Sequence, residues 1–414
     1  MFSLIDQTRS KIDGLLATID GLQAVDYPFS DASHVLEIIA EEFGRLRADL
    51  TTDNPDTNAE AAKTLCRRAL ESIQNYLPVL GFISRSSDLE APIELHGPLV
   101  RLTRRAVQQP DASLVIFSEW NFSPFTFLFP ELAKRGVVLV GMPRSEAHNA
   151  LIAPLAGHEL GHNIWQKASL GATYESAAIK LIVEQMRSDW DRWKRLLTLE
   201  SPEQLSDLMG SKNWEIPLTW AVRQAEETFC DLTGLLIFRE AYLHAFRYLL
   251  APGDSLRRAY YYPDQSDRAR VLVDTAGRAG IKVPDRYMDS FEKTTVEADE
   301  LVSQYVALAD RVTAQLVDRL RADAKKIVDE RSLSSYSEEQ VARARAALNR
   351  AVPITGATGI ENILIAAWEH ALDLKNFLGN QLPSVKDVEK ELVLHELVLK
   401  SFEVFEVEQK LATA

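Results

Sequence analysis

Residues 156–165 read AGHELGHNIW, two histidines four positions apart with a glutamate directly after the first. On an α-helix, positions i and i+4 share a face. His158 and His162 therefore direct their imidazoles at one point, and Glu159, about 100° round the helix, reaches the space beside it. Two neutral imidazoles leave a tetrahedral zinc site short of one protein ligand and a water. Composition alone places an HExxH somewhere in about one such chain in a hundred, so a third ligand has to be found before the segment means metal.

The stretch WAVRQAEETFCDLTGLL, residues 220–236, supplies one. Glu227 and Asp231 lie four apart in a strongly apolar helical pattern, where ionised carboxylates are costly unless paired with a cation. Glu227 is read as the third ligand. Asp231, one turn on, is placed to accept a ring N–H from a liganding histidine and to fix its tautomer. Glu226 competes for the third position, but its i+4 neighbour is Cys230 rather than a carboxylate.

HELGH followed on a later helix by EETFCD resembles the gluzincin metallopeptidases, thermolysin and the CAAX-prenyl-protease-like families among them, whose pattern is HExxH and then ExxxD. The likeness covers two short helical segments and the strand-then-helix order before them. It implies one Zn2+ per chain held by His158, His162 and Glu227, with Glu159 as general base and Asp231 as orienting residue. It also implies peptide-bond hydrolysis by a zinc-activated water. In AYYYPDQSDRARVL, residues 259–272, Tyr262-Pro263 and Arg268 resemble the His-Pro and downstream Arg found after the ExxxD helix in some CAAX-protease-like gluzincins, with Tyr standing where that pattern has His. On that resemblance Tyr262 and Arg268 are candidate catalytic residues. Tyr260 and Tyr261 offer further hydroxyls, Arg268 can equally pair with Asp231 or Asp267, and a tyrosine-rich turn packed on a sheet is the plainer alternative.

The surrounding pattern predicts an α+β, predominantly helical fold: a zincin-like core with a small sheet and two active-site helices, flanked by helical segments. Apolar residues recur at three and four positions from Phe2 to about Tyr76, with Ser30 or Asp31 expected to cap the second helix. SLVIFSEW, FTFLF and GVVLVGM, within residues 111–142, are short, β-branched or aromatic, and bounded by Pro, Asn and Gly, which predicts strands. SLVIFSEWN or FSPFTF is the expected edge for an extended substrate. An apolar helical pattern covers about 150–166, and periodicity is sustained for about forty residues up to Glu330. The expected division is a helical segment at 1–90, a metallopeptidase core at 91–283 and a helical domain at 284–414. The acidic, apolar C-terminal run is expected to dock on its own chain, with a partner or homodimer interface as the alternative.

The formal charge of −14 opposes nucleic-acid binding. No basic leader precedes an apolar run, and no stretch approaches about 18 uninterrupted apolar residues, so a cytoplasmic protein without membrane insertion is expected. Cys66 and Cys230 are the only cysteines, too few for a disulfide framework. The expected partner is a protein or peptide substrate. The rival expectation is an inactive zincin scaffold that binds or regulates through its helices. His395-Glu396 begins like the metal motif but has Leu399 where the second histidine would stand.

Overall fold

A computed structural model describes residues 3–50, 59–88, 92–202, 204, 212–252, 258–378 and 384–413. The fold is predominantly α-helical with one small three-stranded sheet. The chain forms two compact units, residues 1–96 with 109–148, and residues 97–108 with 149–414.

The first unit holds α1 (Leu4–Gln23), α2 (Ser30–Asp49), α3 (Ala59–Arg85), β1 (Ser113–Glu119), β2 (Phe125–Thr126), a short α-helix (Pro130–Lys134) and β3 (Val137–Pro143). The three expected strands all form. β1 pairs in parallel with the central β3, Ser113 opposite Val137, and β2 pairs antiparallel with β3, Phe125 opposite Gly141. Ile12, Val35, Ile39, Phe43, Val79 and Ile83 from the helices pack with Val115, Phe117 and Leu139 from the strands in one core. Asp31 does not cap α2: its carboxylate accepts the Leu114 amide of β1 at 3.0 Å, and Phe29 stands at the cap position with no side-chain bond. A tertiary hydrogen bond has taken the side chain that local sequence assigned to the helix end. The Leu114 carbonyl lies 3.1 Å from His96 Nε2, so at this residue the outer edge of β1 is already engaged by the unit's own side chains.

The second unit holds α4 (His96–Val107, from Gly97 onward), α6 (Ala156–Lys167), α7 (Leu170–Ser188), α8 (Trp190–Leu197), α9 (Lys212–Phe238), α10 (Glu240–Leu250), α11 (Gln265–Arg278), α12 (Glu300–Glu330), α13 (Glu338–Leu348), α14 (Ile360–Ala371) and α15 (Asp387–Thr413), α5 being the short helix of the first unit. Pro154 leaves residues 150–155 in a 3-10 turn, so the metal-motif helix begins at Ala156, later than its apolar pattern. Asp299 caps α12 by accepting the Val302 amide, which cuts the forty-residue pattern to 31 helical residues. α9 is the centre of the unit: α6, α7, α11 and α12 all pack on it. Leu394, Val398 and Phe402 bury one side of α15, which docks on α14. Among the described residues no helix is long and apolar enough to cross a membrane.

Candidate metal centre

The site forms where α6 crosses α9, and glycine sets how closely they approach. A Cβ placed on Gly157 would lie 2.9 Å from the Gly234 Cα, and one on Gly161 would lie 2.7 Å from the Cys230 Cα and 3.0 Å from its Sγ. Backbone therefore packs on backbone over one turn of each helix, Gly157 and Gly161 against Gly234 and Cys230. The same approach brings the flanking side chains of one helix within hydrogen-bond reach of the other.

His158 and His162 emerge beside this contact, both under a tenth exposed. His158 Nδ1 is 2.9 Å from Asp231 Oδ1, and His162 Nδ1 is 2.8 Å from Glu226 Oε1. Each ring donates its Nδ1–H to a carboxylate, which leaves the Nε2 lone pairs as the free donors. Both face Glu227: His158 Nε2 is 3.3 Å from Oε2, and His162 Nε2 is 3.7 Å from Oε1. Glu226 thus holds the second histidine as Asp231 holds the first. Sequence spacing marks Glu226 only as a rival ligand; in the fold its carboxylate meets the Nδ1 side of His162.

Asp231 is over-determined. Besides His158 it accepts the Tyr242 hydroxyl at 2.9 Å and a two-pronged bond from Arg268, Nε to Oδ2 at 2.7 Å and a terminal nitrogen to Oδ1 at 2.8 Å. These partners, Arg268 foremost, overcome burial and hold its carboxyl below the usual range. Arg268 is spent on this pair and acts on the site through Asp231, the second of the two roles the sequence allowed it. Tyr242 reaches Asp231 across the turn at Arg239, φ +53°, where the absent Cβ of Gly234 leaves room for the tyrosine ring.

On the other side Arg223 spans Glu226 Oε2 at 3.0 Å and Glu227 Oε1 at 3.3 Å, and its guanidinium stands 5.9 Å from the Tyr262 ring centroid. Tyr262 is half-buried; burial and then the Glu227 charge raise its hydroxyl pKa. Tyr260 bonds the Glu297 carbonyl and Tyr261 is exposed. Of the three tyrosines, Tyr262 is the one in electrostatic contact with the site.

The electrostatics favour a cation. Glu159, Glu226, Glu227 and Asp231 gather around two guanidinium groups, Arg223 and Arg268, so carboxyl groups outnumber the fixed cations at the site. Burial opposes charge on His158, yet hydrogen bonds to Asp231 and Glu227 push its pKa up to about 10, so the Nε2 side attracts either a proton or a metal ion. Burial likewise opposes charge on Glu227, but the bond and charge of His158, with His162 and Arg268, hold it down at about 2. Its Oε1 is buried and ion-paired with Arg223 at 3.3 Å. An ionised, buried carboxylate beside two imidazole Nε2 atoms has the donor chemistry of a His, His, Glu site suited to zinc.

A second donor set overlaps it. His158, His162 and Cys230 offer donor atoms all within 4.8 Å of one another. Glu227 is the better third ligand, because it is ionised and faces both Nε2 atoms, whereas burial and then the surrounding carboxylates push the Cys230 thiol well above its usual range. Glu159 is buried on the same helix, and desolvation raises its pKa against the lowering effect of His158 and His162. His148 is exposed, and His395 lies on α15.

The chain matches no known family model, no curated protein and no solved structure.

Proposed function

We propose that the chain is a zinc-dependent metallopeptidase acting on a restricted protein or peptide substrate, with His158, His162 and Glu227 as metal ligands and Glu159 as general base. The observation that carries this reading is the pair of imidazoles whose Nδ1 atoms are tied to Asp231 and Glu226 while both Nε2 atoms face Glu227. When bound, a zinc ion supplies Lewis-acid polarisation of a carbonyl and acidifies water toward neutral pH.

The chain's own groups do the rest. Glu159, made more basic by burial, is suited to take a proton from water and return it to the leaving amine. Asp231 and Glu226 fix the tautomers and orientations of the two imidazoles. Arg268 keeps Asp231 ionised, and is a positioning residue rather than a catalytic one. We assign the donation to a developing oxyanion to the Tyr262 hydroxyl, a role supported by its contact with Arg223 and the Glu227 charge. We place the protein in the cytoplasm, a reading supported by two free, buried cysteines.

A second reading, a metal-bearing scaffold without hydrolysis, draws on burial: His158, Glu159, His162 and Glu227 are each at most 9% exposed. Glu159→Gln separates the two. Incubating the zinc-loaded chain with a mixture of peptides and sequencing the products by mass spectrometry should show cleavage that falls at least about 100-fold in Glu159→Gln, with metal content unchanged. Equal product from both proteins, or none from the loaded wild type, would remove the peptidase reading and leave the scaffold.

A further inference from the structure

Cys230 has no role in the site as described, yet it sits at its centre. It lies one turn from Glu226 and three residues from Glu227 on α9, is 0% exposed, and packs against Gly161, the residue directly before His162. Its sulfur and one nitrogen from each of His158 and His162 are all within 4.8 Å of one another. The second observation is that the same two imidazoles also face Glu227, His158 Nε2 at 3.3 Å from Oε2 and His162 Nε2 at 3.7 Å from Oε1, so both histidines lie within reach of a carboxylate and of the sulfur.

Resting on the metal-site reading above, we propose that Cys230 is a fourth protein donor to the same metal ion, giving a His, His, Glu, Cys set in which sulfur competes with water for the reactive position. Catalytic zinc sites keep one position open and structural ones close all four with protein ligands. A cysteine within reach of an otherwise open set makes the site able to take either form. Donors around zinc, with bonds of about 2.0–2.3 Å, sit roughly 3.3–3.8 Å apart, so the sulfur and the two imidazoles, now within 4.8 Å of one another, must close by up to about 1.5 Å to share one ion. Bonding replaces the S–H bond by a sulfur–metal bond, and the proton passes to solvent. Sulfur also makes the set softer, favouring zinc or cobalt over magnesium, calcium or manganese. Hydrolysis is thereby restrained from within, since water must displace the thiolate before the site can act. This fits a peptidase confined with the cell's own proteins.

Cobalt(II) tests this without an activity assay. The full chain is stripped with chelator, loaded with cobalt(II), and its absorption and metal content are measured beside Cys230→Ser and His162→Ala. Wild type should bind about one cobalt per chain and show an intense near-ultraviolet thiolate-to-cobalt charge-transfer band. Cys230→Ser should keep the cobalt and lose the band, and His162→Ala should lose both. Cobalt binding that depends on His162 but gives no such band, or a band unchanged by Cys230→Ser, overturns the role of Cys230 and leaves the metal site standing. Failure of wild type to bind cobalt overturns the metal reading and Cys230's role with it. Should Cys230→Ser not fold, X-ray absorption at the zinc edge of wild type decides directly: one sulfur at about 2.3 Å supports the proposal, and a shell of nitrogen and oxygen alone overturns it.

Discussion

The helix crossing that builds the site makes an unusual demand on Gly161, and Gly161→Ala measures it. An added Cβ would lie 2.7 Å from the Cys230 Cα, a backbone atom that cannot rotate away, against an ordinary carbon contact of roughly 3.5–4.0 Å. α6 and α9 must part by about 0.8 Å at that point. The His158–Asp231 contact, now 2.9 Å, would then lengthen to roughly 3.7 Å, beyond a useful hydrogen bond. Overpacking of this kind costs about 1–3 kcal/mol, and the better helix propensity of alanine returns up to about 1 kcal/mol. The net expectation is a loss of about 1–2 kcal/mol. Gly14, within α1, has nothing within 4 Å of its added Cβ, so Gly14→Ala should gain up to about 1 kcal/mol from the same chemical change. Urea unfolding followed by circular dichroism gives the stabilities. Competition with a chelator gives zinc affinity, which should fall about 10–100-fold in Gly161→Ala, as when a ligand's orienting partner is lost. A Gly161→Ala protein as stable as Gly14→Ala and with undiminished zinc affinity would refute the backbone-contact account.

Glu226→Ala should weaken zinc binding about 10–100-fold by freeing His162 Nδ1, while Glu226→Gln, which keeps an acceptor there, should lose less; the same chelator competition checks both. Asp231→Ala should destabilise the metal-free chain by about 3–5 kcal/mol, because it strands the buried Arg268 charge, and urea unfolding in the presence of chelator reads this. His244, stacked on Trp368, has its pKa lowered by burial from 6.5 to about 4. The unfolded chain therefore binds a proton that the folded chain refuses, so wild type should lose up to roughly 3 kcal/mol as pH falls from about 6.5 to about 4. His244→Phe should lose less over that window and show the wild-type slope above it, as urea midpoints at a series of pH values would test.

What the sequence conveyed and what it withheld divide along the range of the interactions. The three strands were legible because Val, Ile and Phe cluster within bounded runs, and α6 and α9 because their apolar spacing is helical. His158, His162, Glu227 and Asp231 were legible because i, i+4 spacing survives folding, and the structure brings all four together. Asp31 was misread as a cap because its partner, the Leu114 amide, is distant in sequence. Glu226, Arg223 and Tyr242 were missed as partners because their contacts depend on the rotation of α9 against α6 and on the turn at Arg239. Gly157, Gly161 and Gly234 did offer a signal: small residues four apart on one helix and a glycine in the facing one mark a close crossing. That signal becomes specific only once the two helices are known to pack.

The most direct test of the central claim is the metal content of the freshly purified full chain by elemental analysis, with His162→Ala and Glu227→Ala alongside. The account predicts about one zinc per chain in wild type and a loss in both variants while their helical content stays intact. A wild type free of metal, or zinc retained in both variants, would contradict it.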